Sequence, residues 1–334
     1  MRRFGLSLLA GVVLLLGTLP GVGQAASLTT VRVAYVPAVL FAPLFVANAD
    51  GYFKDEGIRL DLKTVPAGQD AMVFVANGQL DAAVVGISAG FFNDVYRGLD
   101  VRIVAPMGVI PKTGNPSPLM VAAKSHITRI RQLKGQTIGI AGGLGSTGSY
   151  MLAVLLKQHG LTLSDVHVEN MSFPEMVTGM QNGSIVACIP PQPFSNAILK
   201  ARTGRILGKV GTGLDLTGVV FGGKFMRTEP QVATRFLVAL LRGVRAVSGK
   251  DYGGAKNLAI LAKATHLPLA TLKGMDPYVF SPDFQFDLAT LTSMQKVFMT
   301  YHLLSYSKLL TPSQTADFNF AHAAVKALGY VKGH

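Results

Sequence analysis

Cysteine, tryptophan and acidic residues are scarce in this sequence of 334 residues. The single cysteine, Cys188, excludes an internal disulfide and clusters of thiolate metal ligands. The seven histidines form no H-x-x-x-H pair and no H-E-x-x-H motif, so the sequence gives no support for a zinc site. We therefore predict that the protein holds no metal.

A long apolar run occurs only at the N-terminus. Arg2 and Arg3 precede an apolar stretch over residues 6–19, and Gly23-Gln24-Ala25 supplies the small residues of a cleavage site. The stretch is too short to span a membrane readily, which predicts a secretory signal peptide over residues 1–25, cut after Ala25. The mature protein is then expected to be exported, and an uncleaved N-terminal anchor is the alternative.

Basic residues outnumber acidic ones, with 31 Lys and Arg against 18 Asp and Glu and a formal net charge of +13. The basic residues are scattered, without a basic run or interleaved aromatics, so no nucleic-acid partner is predicted. A solvated basic surface is the favoured interpretation, and it is compatible with a mild bias toward small anionic molecules.

The sequence contains an internal repeat with an offset of 105 residues. In each copy a helical run ends at Asn-Gly and is followed by a short apolar strand, at 80–85 and again at 185–189. Upstream, the first copy predicts a strand at 31–36 and a helix that begins near Pro43. Two such copies predict two α/β lobes with mainly parallel sheets, and chance similarity between α/β segments is the alternative.

The repeat suggests a layout for the whole chain. We expect lobe 1 to contain residues 31–117 and 217–334, and lobe 2 to contain residues 118–216, so that the chain crosses between the lobes twice. The ligand is expected between the lobes, because open α/β sheets bind ligands outside the carboxyl ends of their strands. Beyond about residue 217 the pattern predicts mainly helices, at 229–248, 252–265, 288–299 and 312–328.

The segment IGIAGGLGSTGSYMLAVLL at residues 138–156 predicts a strand, a glycine-rich loop and a helix. Gly143, Gly145 and Gly148 have the G-x-G-x-x-G spacing of dinucleotide-binding proteins. Dinucleotide binding also needs an acidic residue that closes the second strand, whereas Asp165 precedes the strand predicted at 166–171. We therefore predict no dinucleotide and no other cofactor.

The same glycine loop favours an anion site at a helix N-terminus, where free backbone N–H groups and the helix dipole attract negative charge. Gly145 lets the backbone approach a ligand, and Ser146, Thr147 and Ser149 add hydroxyl donors. This pattern predicts a small headgroup such as a sulfonate, carboxylate or nitrate. A helix that is simply capped by Ser or Thr is the alternative.

Two longer stretches carry a family resemblance. They are VAYVPAVLFAPLFVANADGYFKDEGIRLDL with the later PAGQDAMVFVANGQLDAAVVG, and IRQLKGQTIGIAGGLGSTGSYMLAVLLKQHGLTLSDV. Together they resemble the periplasmic solute-binding proteins of ABC importers, in the group that binds sulfonates, taurine, nitrate and thiamine-pyrimidine precursors. The resemblance covers residues 31–225 and implies an α/β, two-lobed periplasmic-binding-protein fold of type II, with two hinge crossovers.

The resemblance also implies a ligand pocket made by the loop after the first strand, the turn after the third strand and the glycine loop of lobe 2. Its predicted members are Pro37, Leu40, Phe41, Ser88, Ala89, Gly145, Ser146, Thr147, Ser149 and Gln192. Gln192 stands where the family frequently has an acid, and the chain has no tryptophan. A charged contact and aromatic cover that are typical of the family are therefore lost.

The function implied by the resemblance is that of a monomeric, non-enzymatic periplasmic receptor. It would capture a small, anionic organic solute between its lobes and deliver it to a permease in the inner membrane. An exported enzyme on the same scaffold, acting on a small sulfonate or pyrimidine-like substrate, is the alternative. Cys188 has no His or Asp at a recognisable partner spacing, which favours a buried structural thiol over a nucleophile.

Overall fold

A computed structural model describes most of the chain. The described residues are 27–111, 114–210, 213, 215–248 and 252–331. The predicted signal peptide, residues 1–25, lies outside these ranges. No helix within them is both long and apolar enough to cross a membrane.

Two five-stranded sheets form the framework of the described chain. The strands are β1 (Thr29–Tyr35), β2 (Ile58–Thr64), β3 (Ala82–Gly86), β4 (Val101–Pro106), β5 (Leu119–Ala122), β6 (Thr137–Ile140), β7 (His167–Asn170), β8 (Ala187–Cys188), β9 (Gly204–Gly208) and β10 (Thr217–Gly222). Sheet 1 has the order β2-β1-β3-β10-β4, and sheet 2 has the order β7-β6-β8-β5-β9. The predicted α/β class is confirmed.

Helices cover both sheets. The α-helices of the described ranges are α1 (Ala42–Ala49), α2 (Tyr52–Asp55), α3 (Met72–Ala76), α4 (Ala89–Tyr96), α5 (Thr147–Gln158), α6 (Phe173–Asn182), α7 (Phe194–Lys200), α8 (Gly223–Thr228), α9 (Pro230–Ala246), α10 (Ala255–Thr265), α11 (Leu269–Leu272), α12 (Leu288–Thr300), α13 (Pro312–Thr315) and α14 (Asn319–Leu328). Short 3-10 helices occur at Val39–Phe41, Gly68–Ala71, Ile130–Leu133 and Leu163–Asp165.

The internal repeat of the sequence reappears in the two sheets. Strand β1 pairs in parallel with β2 and β3, and β6 pairs in parallel with β7 and β8. Helices α1 and α5 begin 105 residues apart, at Ala42 and Thr147. Strands β3 and β8 begin at Ala82 and Ala187, which is the same offset of 105 residues. The two copies therefore form corresponding parts of the two sheets.

Strand β10 is the main departure from the sequence prediction, which expected mainly helix beyond about residue 217. It pairs antiparallel with both β3 and β4, and all six of its residues are buried. An apolar run of this length suits a central strand. The glycines on either side are also typical turn residues, so the pattern predicted a turn there instead of a strand. Strands β4 and β9 were not predicted either.

The helix predicted at 312–328 is divided in the structure into α13 and α14. Between them, Ala316 forms an isolated parallel bridge with Ile103 of β4. The backbone N–H of Asp317 donates to the carbonyl oxygen of Ile103 at 2.9 Å. This pairing with the edge of sheet 1 replaces the helical hydrogen bonds at that point, so the helix ends and restarts.

Helix α12 contacts elements beside both sheets. It packs against α4, which follows β3 of sheet 1, and against α5, which follows β6 of sheet 2. The rings of Tyr150 and Phe298 lie 6.2 Å apart, and the Tyr150 hydroxyl lies 2.8 Å from Ser293 Oγ. The chain passes from sheet 1 to sheet 2 between β4 and β5 and returns between β9 and β10. The residue boundaries of the lobes stay a prediction.

Helix α9 packs closely on α1 at Gly243. A methyl group at Gly243 would fall on the carbonyl oxygen of Pro43 and lie 2.7 Å from Ala47 Cβ. Because a backbone carbonyl cannot move aside as a flexible side chain can, glycine permits this approach of the two helices.

Gly243→Ala should lower the free energy of unfolding by about 1–2 kcal/mol. Because the clash is with a backbone carbonyl, we expect overpacking to cost about 2–3 kcal/mol, the upper part of its usual range, and the better helix propensity of Ala returns about 1 kcal/mol. Urea unfolding followed by circular dichroism measures the change. Gly253→Ala is the control, since a Cβ there has no atom within 4 Å. Equal stability of the two variants would contradict the close approach.

Candidate functional site

A cavity of about 100 Å³ lies where strands of the two sheets end. Val36 and Gly86 line it from the ends of β1 and β3, and Ala141 and Ile189 line it from the residues that follow β6 and β8. The carboxyl ends of both sheets therefore meet at the cavity. Since open α/β sheets bind ligands at this edge, the cavity is the candidate functional site.

The cavity walls are largely apolar. The apolar side chains in them include Val36, Leu40, Phe41, Ile110, Met151, Phe173, Ile189 and Leu216. The polar side chains are those of Gln69, Ser88, Ser117, Ser146, Thr147, Thr217 and Tyr278. None of the described residues in the walls is charged. Apolar walls with a few placed polar groups are the usual make-up of a small-molecule site.

Two helices begin at the cavity, and a serine caps each of them. Ser88 Oγ accepts a hydrogen bond from the backbone N–H of Phe91 at 3.3 Å, at the start of α4. Ser146 Oγ accepts from the backbone N–H of Ser149 at 3.3 Å, at the start of α5. The capping function that the sequence offered as an alternative is therefore confirmed for Ser146.

The glycine loop needs its glycines for backbone conformation and for close approach. Gly142, Gly143 and Gly145 have φ values of +78°, +61° and +83°. Residues other than glycine rarely adopt this left-handed backbone region. A Cβ at Gly142 would lie 3.1 Å from Ala67 Cβ, and one at Gly145 would lie 3.0 Å from Ala89 Cβ. The loop of sheet 2 thus lies directly against residues beside sheet 1.

Three hydrogen bonds join the glycine loop to the sheet 1 side of the cavity. Gln69 Nε2 donates to the Gly142 carbonyl at 2.9 Å, and the Ala89 N–H donates to the Gly145 carbonyl at 2.7 Å. Thr147 Oγ1 donates to the Ile87 carbonyl at 2.9 Å. Each such bond contributes about 0.5–1.5 kcal/mol net, so the three together hold the two sides in contact.

The ten residues predicted for the pocket fall into two groups. Those that line the cavity are Leu40, Phe41, Ser88, Ser146 and Thr147, and those outside the lining are Pro37, Ala89, Gly145, Ser149 and Gln192. Ala89 and Gly145 contact each other instead, and Ser149 Oγ donates to the Ser146 carbonyl at 2.9 Å. Gln192 is buried, and its Oε1 has no hydrogen-bond partner. Their ligand-binding functions stay predictions.

One wall of the cavity was missed by the sequence analysis. Ser117, which lies in the first connection between the sheets, has its Oγ 2.9 Å from the hydroxyl of Tyr278. The Tyr278 hydroxyl donates to the Pro116 carbonyl at 3.0 Å. Burial raises the pKa of Tyr278 far above its usual value, so this hydroxyl keeps its proton at neutral pH. No local motif marks residues that are 161 positions apart in the chain.

Cys188 lies in β8 and is completely buried. Its neighbours in a small apolar cluster include Met120, Met176 and Met180. Burial raises the pKa of the thiol far above its usual value, which keeps the sulfur protonated and unreactive. The predicted burial of this thiol is therefore confirmed.

The described charges offer little attraction for an anion. The N-terminal end of α5 attracts a negative charge by about 0.3–1 kcal/mol, and by up to about 2 kcal/mol when partly buried. Removing an anion from water without matching partners costs several kcal/mol. Asp215, next in sequence to the cavity residue Leu216, is a buried carboxyl whose pKa is raised by that burial. The predicted anionic headgroup has no cationic side chain to meet it in the described walls.

Comparison with known proteins gives the family. The family model described as NMT1/THI5 like matches residues 39–250, more than half of the chain. The chain belongs to this family. The resemblance seen in the sequence is therefore confirmed.

Two characterised relatives of the chain are binding proteins. The chain is 26% identical over 226 residues to the riboflavin-binding protein RibY of Chloroflexus aurantiacus, covering 64% of this chain and 61% of RibY. It is 27% identical over 195 residues to the taurine-binding periplasmic protein of Escherichia coli K12, covering 58% of this chain and 57% of that protein. The matches thus span about three fifths of each relative.

Solved structures confirm the fold class, the two-lobed periplasmic-binding-protein fold. The alkanesulfonate-binding protein SsuA from Xanthomonas axonopodis pv. citri, bound to MOPS, has a TM-score of 0.72 at 19% identity, covering 87% of this chain and 99% of that chain. The desulfurization enzyme DSZB has a TM-score of 0.63 at 16% identity, covering 90% of this chain and 99% of that chain. Because a binding protein and an enzyme share this fold, the function of this chain must be argued from its site.

A methyl group at Gly86 should separate the two sides of the cavity, because it would fall on Thr147 Oγ1 from the other side. We expect Gly86→Ala to disfavour the contact between the two sides of the cavity by about 1–3 kcal/mol, the usual cost of overpacking. Small-angle X-ray scattering should then show a larger radius of gyration than for the unsubstituted protein.

The control for this measurement is Gly253→Ala, where a Cβ has free space. It should leave the radius of gyration unchanged. If Gly86→Ala also scatters like the unsubstituted protein, the contact between Gly86 and Thr147 does not hold the cavity closed.

Proposed function

We propose that this chain is the substrate-binding component of an ABC importer and that it captures a small organic solute in the cavity between the two sheets. The observation that carries this proposal is the cavity itself. Residues at the carboxyl ends of β1, β3, β6 and β8 line it, and three hydrogen bonds beside it join the glycine loop to the sheet 1 side. A ligand there would touch both sheets at once.

Closure around the solute would work as a population shift. In this proposal lobe 1 contains residues 31–117 and 217–334, lobe 2 contains residues 118–216, and the two connections between the sheets act as hinges. A solute that contacts both lobes favours the closed state, because it makes its full set of contacts only there. The hydrogen bonds that Gln69, Ala89 and Thr147 donate between the two sides also favour the closed state.

A binding function is favoured over catalysis by the chemistry of the walls. The described walls contain neither a carboxylate nor the side chain of His, Lys or Cys, so they lack the usual general bases and the stronger nucleophiles. The hydroxyls that are present donate mainly to backbone carbonyls. None of them contacts a base that would activate it.

The remaining parts of the proposal follow from the family. The protein would be exported through the signal peptide at residues 1–25 and act as a monomer in the periplasm. A permease in the inner membrane would receive the loaded, closed form. The two binding relatives, one named for riboflavin and one for taurine, support this view and show that the ligand varies among such proteins.

A thermal-shift screen of the mature protein tests the proposed function. The panel contains sulfonates, carboxylates, nitrate, pyrimidines and flavins. A ligand at 100 times its dissociation constant should stabilise the protein by about 2.7 kcal/mol. Mass spectrometry of the recovered compound should find it unchanged and in a ratio of one per chain.

Two results would contradict the proposal. A screen in which no small molecule raises the melting temperature would remove the basis for a solute receptor. Conversion of a bound compound into a product would instead favour an enzyme on this scaffold.

A further inference from the structure

Five of the six hydroxyl groups that line the described cavity have already used their protons. A Ser, Thr or Tyr hydroxyl has one proton to donate, and its oxygen can still accept. Ser146 Oγ donates to the Gly143 carbonyl at 2.8 Å, Thr147 Oγ1 to the Ile87 carbonyl at 2.9 Å and Thr217 Oγ1 to the Gly108 carbonyl at 3.0 Å. These three side chains can therefore offer only oxygen lone pairs to a ligand.

The same conclusion holds for the wall formed by Ser117 and Tyr278. The Tyr278 hydroxyl donates to the Pro116 carbonyl, which can only accept, so the proton of Tyr278 is used there. The 2.9 Å contact between Ser117 Oγ and the Tyr278 hydroxyl then requires Ser117 to be the donor. Ser117 is thus a fourth hydroxyl that can only accept from a ligand, whereas the Tyr278 hydroxyl already donates to Pro116 and accepts from Ser117.

Few side-chain donors remain in the described walls. Ser88 Oγ accepts from Phe91 N and keeps its own proton, and Gln69 Nε2 has one N–H left after its bond to Gly142. Gly148, in the first turn of α5, lies in the lining and adds a backbone N–H at the helix N-terminus. The described walls thus combine these few neutral donors with four hydroxyl oxygens that can only accept, and their other side chains are mainly apolar and uncharged.

From this inventory we infer that the site selects an uncharged ligand that donates N–H or O–H hydrogen bonds, rather than a sulfonate or carboxylate. This inference rests on the proposed function, because it names the class of solute for the same cavity. The apolar side chains of Phe41, Ile110, Met151 and Phe173 suit a flat ring.

Three probes with the same ring separate charge from shape. Benzamide is uncharged and donates through its N–H groups, whereas benzoate and benzenesulfonate are anions that only accept. Isothermal titration calorimetry at neutral pH should show benzamide binding at least tenfold more tightly than either anion. Equal or tighter binding of either anion would overturn the inference.

A pair of variants tests whether the probe occupies this cavity. Leu40 lines the cavity, and Leu199 lies exposed on α7. Leu40→Trp should fill the space and weaken benzamide binding at least tenfold, while Leu199→Trp should leave it unchanged. Circular dichroism confirms that each variant is folded. If Leu40→Trp is folded and binds benzamide like the unsubstituted protein, the probe lies elsewhere and the inference fails.

Failure of this inference is distinguishable from failure of the proposed function. Binding of benzoate or benzenesulfonate alone would leave a solute receptor with an anionic ligand. Binding of none of the three probes would also overturn the inference. The receptor function is tested separately, by the wider thermal-shift screen. If Leu40→Trp does not fold, Met151→Phe replaces it in the comparison. Met151 also lines the cavity, and Phe would fill the space with an apolar group.

Discussion

Contact between the glycine loop and the residues beside sheet 1 is the constraint on which the site depends. Gly142 and Gly145 accept hydrogen bonds from Gln69 and Ala89, and Thr147 donates to Ile87. Backbone atoms from two sheets can approach this closely only where no Cβ intervenes. Gly142 and Gly145 meet that requirement on one side and Gly86 meets it on the other. A loop whose spacing suggests nucleotide binding is thus explained by contact between the two sides of a cleft.

This contact also sets the chemistry of the cavity. Thr147 gives its only hydroxyl proton to the opposite side, and Ser146 uses its hydroxyl to cap α5 and to bond Gly143. Groups that would otherwise bind an anion therefore hold the protein together. Because the walls also lack charged side chains among the described residues, closure leaves a cavity that favours hydrogen-bond donors. The chain would then differ in ligand class from the sulfonate-binding neighbour that shares its fold.

Much of the fold was predictable because it depends on local pattern. The offset of 105 residues relates the start of α1 to that of α5 and the start of β3 to that of β8. In the structure β3 lies beside β1 and β8 lies beside β6, so the two copies have the same strand order. Strand β10 was missed because its glycine flanks resemble a turn. The wall formed by Tyr278 was missed because only the folded chain brings it to Ser117. The predicted hydroxyl groups of Ser88, Ser146 and Thr147 line the cavity. The partner of Thr147 is the carbonyl of Ile87, 60 positions away, which no local spacing reveals.

The most direct test of the central claim is a crystal structure of the mature protein with a compound that raises its melting temperature. We predict electron density for the compound in the cavity between the carboxyl ends of the two sheets, in contact with both sides. The hydrogen bonds of Gln69, Ala89 and Thr147 across the cleft should be present. Density for the compound at a surface position, with the cavity empty and the glycine loop detached, would contradict the claim that this cavity is the solute site.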